Sequence, residues 1–164
     1  MIAGLLFVTS IVVWQTRPAR VIAKRQAELI SGIERRNPAR IRRLVAESYG
    51  DKWGFSGEDA VVALVDVGSQ FMILVLKSEK QMIEIGNAAA TVSVHLTVSG
   101  KPLGPVANEV TRRANRLKEP FVFTWEKQSF LPSSWRLVRI DQPEMPEELY
   151  GYEPGDIRRA MQGE

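Results

Sequence analysis

The chain has no cysteine and a single histidine, His95. Without thiols there is no disulfide, no thiolate metal site and no cysteine nucleophile. One histidine excludes a histidine-rich metal site and leaves His95 as the one base available to a Ser-His-Asp triad. The sequence holds no phosphate-cradling glycine loop, no Gly-x-Ser-x-Gly elbow and no internal repeat. Its late acids, among them Glu144, Glu147, Glu148, Glu153 and Asp156, are too scattered among prolines for a calcium loop. Only one long apolar run occurs, which excludes a polytopic membrane protein. The rest is ordinary for a globular protein: 164 residues, 45% hydrophobic and 25% charged, the size of one domain.

The net charge of +3 conceals an asymmetry. Residues 17–43 carry nine Arg/Lys against Glu28 and Glu34, and residues 141–164 carry seven acids against Arg158 and Arg159. A basic segment beside an apolar run points to an anionic membrane surface. No aromatics interleave with these basic residues and no nucleic-acid-binding motif is present, so no nucleic-acid partner is expected. The apolar run, Ile2 to Trp14, is broken only by Thr9 and Ser10. As a helix it covers roughly 20 Å of a hydrocarbon core about 30 Å thick. Three readings stay open: an anchor whose start lies upstream, a short or tilted anchor, and a helix start buried in the domain or a partner. The first is preferred, with residues 1–16 as the anchor and residues 2–14 meeting the membrane. The side of the membrane stays open.

Pro18 fits the first turn of a helix, and Ala19, Ile22, Ala23, Ala27, Ile30 and Ile33 follow at helical spacing to about Arg36. Asn37-Pro38 reads as an N-cap and first turn of a second helix with Ile41, Leu44, Val45 and Tyr49 as its buried stripe. Ser56 with Asp59 resembles a capping box. It opens a third helix with Val61, Leu64, Val65, Gly68 and Phe71 on one face. From Met72 the period is that of strands. Met72–Ile85 is one bulged strand or two short ones, and Gly86-Asn87 is a turn. Ala88, Ala90, Val92, Val94, Leu96 and Val98 then alternate with Ala89, Thr91, Ser93, His95, Thr97 and Ser99, the first set facing a core. Gly100–Pro105 reads as a turn or loop, Val106–Leu117 fits strand or helix by pattern with an edge strand preferred, and Phe121–Glu126 and Trp135–Ile140 read as the last strands. Residues 143–164 read as an acidic, proline-containing tail with a short helix over Pro154–Met161.

This order is α+β. With its three helices, its Gly86-Asn87-Ala88 entry followed by Ala90 and Val92, and its closing Trp135-Arg136-Leu137-Val138-Arg139-Ile140, the chain resembles the nuclear transport factor 2-like superfamily over residues 17–142. The resemblance implies a cystatin-like cone fold: three N-terminal helices packed in the concavity of a curved antiparallel sheet, here preceded by an apolar N-terminal helix. It implies a pocket between helices and sheet, used in some members by isomerases, dehydratases or cyclases and absent of chemistry in many others. The apolar run is similar to the arrangement of membrane-anchored bacterial members that serve assemblies. Fold analogy does not carry function, so the site is argued separately.

His95 shares a strand face with Thr91, Ser93 and Thr97, which directs it to the outer face of the sheet. Tyr49 and Asp51 suit a tyrosine–carboxylate proton-transfer pair of the kind used by isomerase-like members, or else a core residue and a turn residue. Trp53, Phe55, Phe71, Phe121, Phe123 and Trp125 either line an apolar pocket or fill the cone. The candidate ligand-binding set is therefore Tyr49, Asp51, Trp53, Phe71 and Trp125, with no catalytic residue, metal or cofactor assigned. The leading expectation is a membrane-anchored, non-catalytic interaction or assembly module, with a protein partner and a homodimer through the polar face of the sheet. The alternative is a small-molecule-binding or isomerase/cyclase-like enzyme with its pocket near Tyr49 and Asp51. A third reading is a lipid-surface sensor through the first helix.

Overall fold

The computed structural model describes residues 2–162, with side chains over 18–157 and at Arg159 and Ala160. Three helices come first: α1 (Ile2–Glu34), α2 (Pro38–Arg42) and α3 (Gly57–Ser69). Two long strands follow, β1 (Phe71–Ile85) and β2 (Ala89–Pro102), then helix α4 (Pro105–Ala114). Strands β3 (Phe121–Lys127) and β4 (Trp135–Asp141), a single 3-10 turn at Leu149–Gly151 and helix α5 (Asp156–Gln162) complete the chain. The four strands form one antiparallel sheet in the order β1-β2-β3-β4.

Helix α1 runs through Pro18 rather than starting there. Proline in a helix interior removes one backbone hydrogen bond and crowds the carbonyl four residues back, so the helix continues through it at a cost. The expected anchor, residues 1–16, lies outside the residues whose side chains are described. Among the described residues no helix is long and apolar enough to cross a membrane. From residue 18 on, α1 buries Ile22, Gln26, Leu29, Ile30 and Ile33. Ala27, expected on that stripe, is exposed, and Leu29 takes the position instead.

Asn37 caps α2 as expected, its side chain accepting from the Arg40 N–H at 2.9 Å. The helix is one turn shorter than its apolar stripe suggested. Residues 44–46 instead join β4: Leu137 N–H donates to Leu44 O at 2.7 Å and Ala46 N–H donates to Leu137 O at 2.9 Å. Leu44 and Tyr49 are still buried, because the extended chain delivers them to the core that a longer helix would have reached. The capping box of α3 is present in full, with Ser56 and Asp59 bonding each other's backbone N–H.

Gly68 lets α3 lie against α1. A Cβ there would sit 2.6 Å from Ile33 O, a contact no side chain tolerates. Strand β1 is one strand, with a register shift between Glu79 and Met82 where Lys80 takes a positive φ of 51°. Gly100, expected in a loop, lies inside β2 opposite Leu74. Its φ is +128° and a Cβ would meet Ile73 O at 2.0 Å, so only glycine fits.

The segment expected as an edge strand, Val106–Leu117, forms α4 instead. Pro105 opens it, and Glu109 pairs with both Arg112 and Arg113 at helical spacing. It buries Ala107. Just beyond it, the Asn115 side chain bonds both the N–H and the C=O of Val98, at 2.7 and 2.8 Å. That contact satisfies β2 where β3 no longer runs beside it, since β3 pairs only with Ala89–Val94.

The core lies between the helices and the inner face of the sheet. Ile22, Leu29 and Ile33 from α1 meet Val92, Val94, Phe123, Trp125 and Leu137 from the strands. Of the set its alternation marked as inward, Ala90, Val92, Val94 and Val98 are buried and Leu96 is half-buried, whereas Ala88 is exposed in the bend ahead of β2.

Candidate functional site

The loop after Ala46 brings three of the five candidate residues together. Tyr49 is 6% exposed, and its hydroxyl donates to Asp51 Oδ2 at 2.7 Å. Asp51 Oδ1 accepts from the backbone N–H groups of Trp53 at 3.0 Å and Phe55 at 3.1 Å. Both carboxylate oxygens are thus engaged within the loop, in the manner of an Asx turn. Burial, and then the hydrogen bond to the Asp51 carboxylate, push the Tyr49 phenol well above its ordinary value. A phenol so held is a hydrogen-bond donor at any physiological pH.

Trp53 is half-buried, and its indole N–H donates to Pro146 O at 3.0 Å. Lys52 beside it reaches across to Gln142 O at 2.5 Å and to Asp141 Oδ1 at 3.2 Å. Phe55 stacks edge-on against Tyr152, with ring centroids 6.4 Å apart. The loop is therefore closed over by the segment following β4.

Phe71 and Trp125 lie elsewhere, both in the core at 1% and 0% exposure. Phe71 opens β1 under the α1–α2 turn, its carbonyl accepting from Arg36 at 3.2 Å. Trp125 sits on β3, and its indole N–H donates to Gln26 Oε1 on α1 at 3.1 Å. The five candidates thus form a loop cluster and two separate core positions. Two surface depressions, one lined by Arg25, Arg43 and Arg136 and the other by His95, Asn115 and Phe121, touch none of the five. Among the described residues no group of acids or histidine is placed to hold a metal ion.

No family model matches this chain, and no curated protein matches it. Solved structures do. An NTF2-like protein from Cytophaga hutchinsonii aligns with 74% of this chain and 93% of its own, at 13% identity and a TM-score of 0.52. Hexachlorocyclohexane dehydrochlorinase LinA-type3 from Novosphingobium barchaimii aligns with 74% of this chain and 82% of its own, at 10% identity and a TM-score of 0.55. A conserved protein from Planctomyces limnophilus aligns with 74% and 91%, at 16% identity and a TM-score of 0.56. The fold is the NTF2-like cone. At these identities the likeness extends to the fold and stops there, because the cone hosts enzymes and proteins of unknown function alike.

Within the cone, two polar residues escaped the sequence reading. Gln26 is 1% exposed, and among the described residues its Nε2 has no hydrogen-bond partner. Its signal was legible, since a glutamine standing between Ile22 and Leu29 on an apolar stripe needs a buried partner. Asp66 on α3 is 2% exposed and accepts from the Tyr152 hydroxyl at 2.8 Å and the Gly155 N–H at 2.9 Å. Nothing local marks it, because its partners lie 86 and 89 residues away. His95 sits on the outer side of β2 opposite Glu79, as its alternation required.

Proposed function

We propose that the chain is a membrane-anchored, non-catalytic cone domain that acts by binding other proteins, with residues 1–16 as the tether. The observation that carries this reading is the occupation of the cone. Trp125, Phe71, Phe123 and Tyr49 are all buried in one core, where a substrate-binding cone needs open volume lined by such side chains. Tyr49 and Asp51 support it further, since each spends its hydrogen bonds on the other or on the loop backbone.

The outer face of the sheet is the proposed contact surface, for a second copy or another protein. Ile73, Val75 and Met82 are about half exposed there, beside Ser93, Thr97, Ser99 and Lys101 of β2. Apolar side chains grouped among small polar ones suit a protein interface. Two measurements test the reading. The full chain should pellet with membranes and resist an alkaline wash, and release by that wash contradicts the tether. In an NMR screen of small ketone and enol fragments, the Tyr49 and Trp125 resonances should not shift. Saturable shifts at both would reinstate the pocket.

The second reading is an isomerase- or cyclase-like enzyme using Tyr49 and Asp51. The observation in its favour is their 2.7 Å hydrogen bond. It requires the loop to release Asp51 from the Trp53 and Phe55 N–H groups before the carboxylate takes a proton.

A further inference from the structure

Helices α1 and α2 follow one another and strand β4 lies far along the chain from both, yet all three turn arginines toward one place. Arg25 of α1, Arg40 and Arg42 of α2, the following Arg43, and Arg136 of β4 line a single surface depression of about 540 Å³, together with Glu28. That volume falls within the roughly 300–1,000 Å³ of small-molecule sites. Like charges gathered in one hollow repel, so the arrangement is stabilised by whatever anion enters it.

Four of the five guanidinium groups, those of Arg25, Arg40, Arg42 and Arg136, are held by bonds within the chain. Arg25 and Arg136 both donate to the Ser133 carbonyl, at 2.7 and 3.1 Å, so one acceptor holds the two side chains together. Arg136 also bonds Trp135 O at 3.1 Å, and Arg40 bonds the Ser31 hydroxyl at 3.2 Å. These acceptors are neutral and leave the charge in place. Among the described residues carboxylates offset two of the five: Glu28 takes Arg25 at 3.1 Å, and Glu58 takes Arg42 in a two-pronged pair at 2.9 and 2.5 Å. Among the described residues Arg43 makes no side-chain hydrogen bond or ion pair. Arg40, Arg43 and Arg136 therefore present three uncompensated positive charges to the hollow.

From this geometry we infer that the hollow between α1, α2 and β4 is a binding site for a phosphate-bearing group. Planar guanidinium forks match the oxygens of phosphate, and several forks around one concavity suit a multiply charged anion better than a single carboxylate. The lining contains no aromatic side chain on which a base would stack. The phosphate belongs either to a soluble small molecule or to a lipid headgroup, two sources with the same chemistry. This inference is independent of how the cone interior is used.

The test uses the full chain, with inorganic pyrophosphate followed by calorimetry and with phosphatidylcholine vesicles prepared with and without phosphatidic acid. Saturable pyrophosphate binding is expected, weakened at least about tenfold by Arg136→Gln and by Arg43→Gln. Arg43→Gln removes no bond among the described residues, so it reports on binding even if Arg136→Gln weakens the fold. Arg116→Gln, an exposed arginine outside the hollow, makes the same charge change and should bind as the parent does. Vesicle binding that depends on phosphatidic acid and on Arg43, without pyrophosphate binding, assigns the phosphate to a lipid. Binding of neither probe overturns the inference, as does equal weakening by Arg116→Gln, which would mark a mere effect of net charge.

Discussion

Tyr49 and Asp51 hold each other, the phenol donating to the carboxylate at 2.7 Å while that carboxylate also gathers the backbone N–H groups of Trp53 and Phe55. The pair is a clasp on the loop that leads into α3. Asp51→Ala removes the acceptor of all three bonds and should cost about 2 kcal/mol in urea unfolding, while Tyr49→Phe, which removes one, should cost about 1 kcal/mol. Equal costs would mean that the backbone bonds contribute little.

The same pair sets an alkaline limit on stability. Burial first, and a carboxylate partner second, raise the phenols of both Tyr49 and Tyr152 above their ordinary value of 10.0. The unfolded chain then loses these protons first. The stability they contribute is complete below about pH 10 and falls as pH rises from there toward the raised folded values. Chemical denaturation across that range should show the decline, and the double variant Tyr49→Phe/Tyr152→Phe should flatten it. An unchanged slope in the double variant would assign the decline to other groups.

Asp66 holds the C-terminal segment down through Tyr152 and Gly155. Asp66→Ala frees that segment, and limited proteolysis should then cut between residues 142 and 156 much faster than in the parent chain. Tyr152→Phe should give an intermediate rate. Cleavage at the parent rate in both would show that the Trp53–Pro146 and Lys52–Gln142 bonds suffice to hold it.

Gly68→Ala should destabilise the fold by about 1–3 kcal/mol, since the new methyl group meets the Ile33 carbonyl and α1 must move away from α3. Gly50→Ala, with open space around the Cβ position, is the neutral comparison. A thermal melt of each variant decides it.

The sheet was legible because the alternation of β2 is strict and Gly86-Asn87 punctuates it. The caps of α2 and α3 were legible because Asn37-Pro38 and Ser56…Asp59 are local chemistry. What escaped was set by distant partners. The backbone of residues 44–46 leaves the helix to bond β4, and α4 replaces a strand because Ala107 and Ala114 pack on the core while Asn115 bonds the part of β2 that β3 leaves unpaired. The candidate site was legible only in part. Tyr49, Asp51 and Trp53 are neighbours in sequence and meet in space, whereas Gln26 joins Trp125 across 99 residues. The arginines of the hollow were visible as charge in residues 17–43, but Arg136 and the concavity are products of the fold.

Trp125 lies at the centre of the proposed filled cone, and hydrogen exchange of its indole N–H by NMR is the most direct probe of that interior. With the N–H bonded to Gln26 and no solvent in the cone, it should exchange only as slowly as the most protected backbone amides, through global unfolding. Exchange orders of magnitude faster, at a rate set by local opening, would place water beside Trp125 and contradict a filled cone.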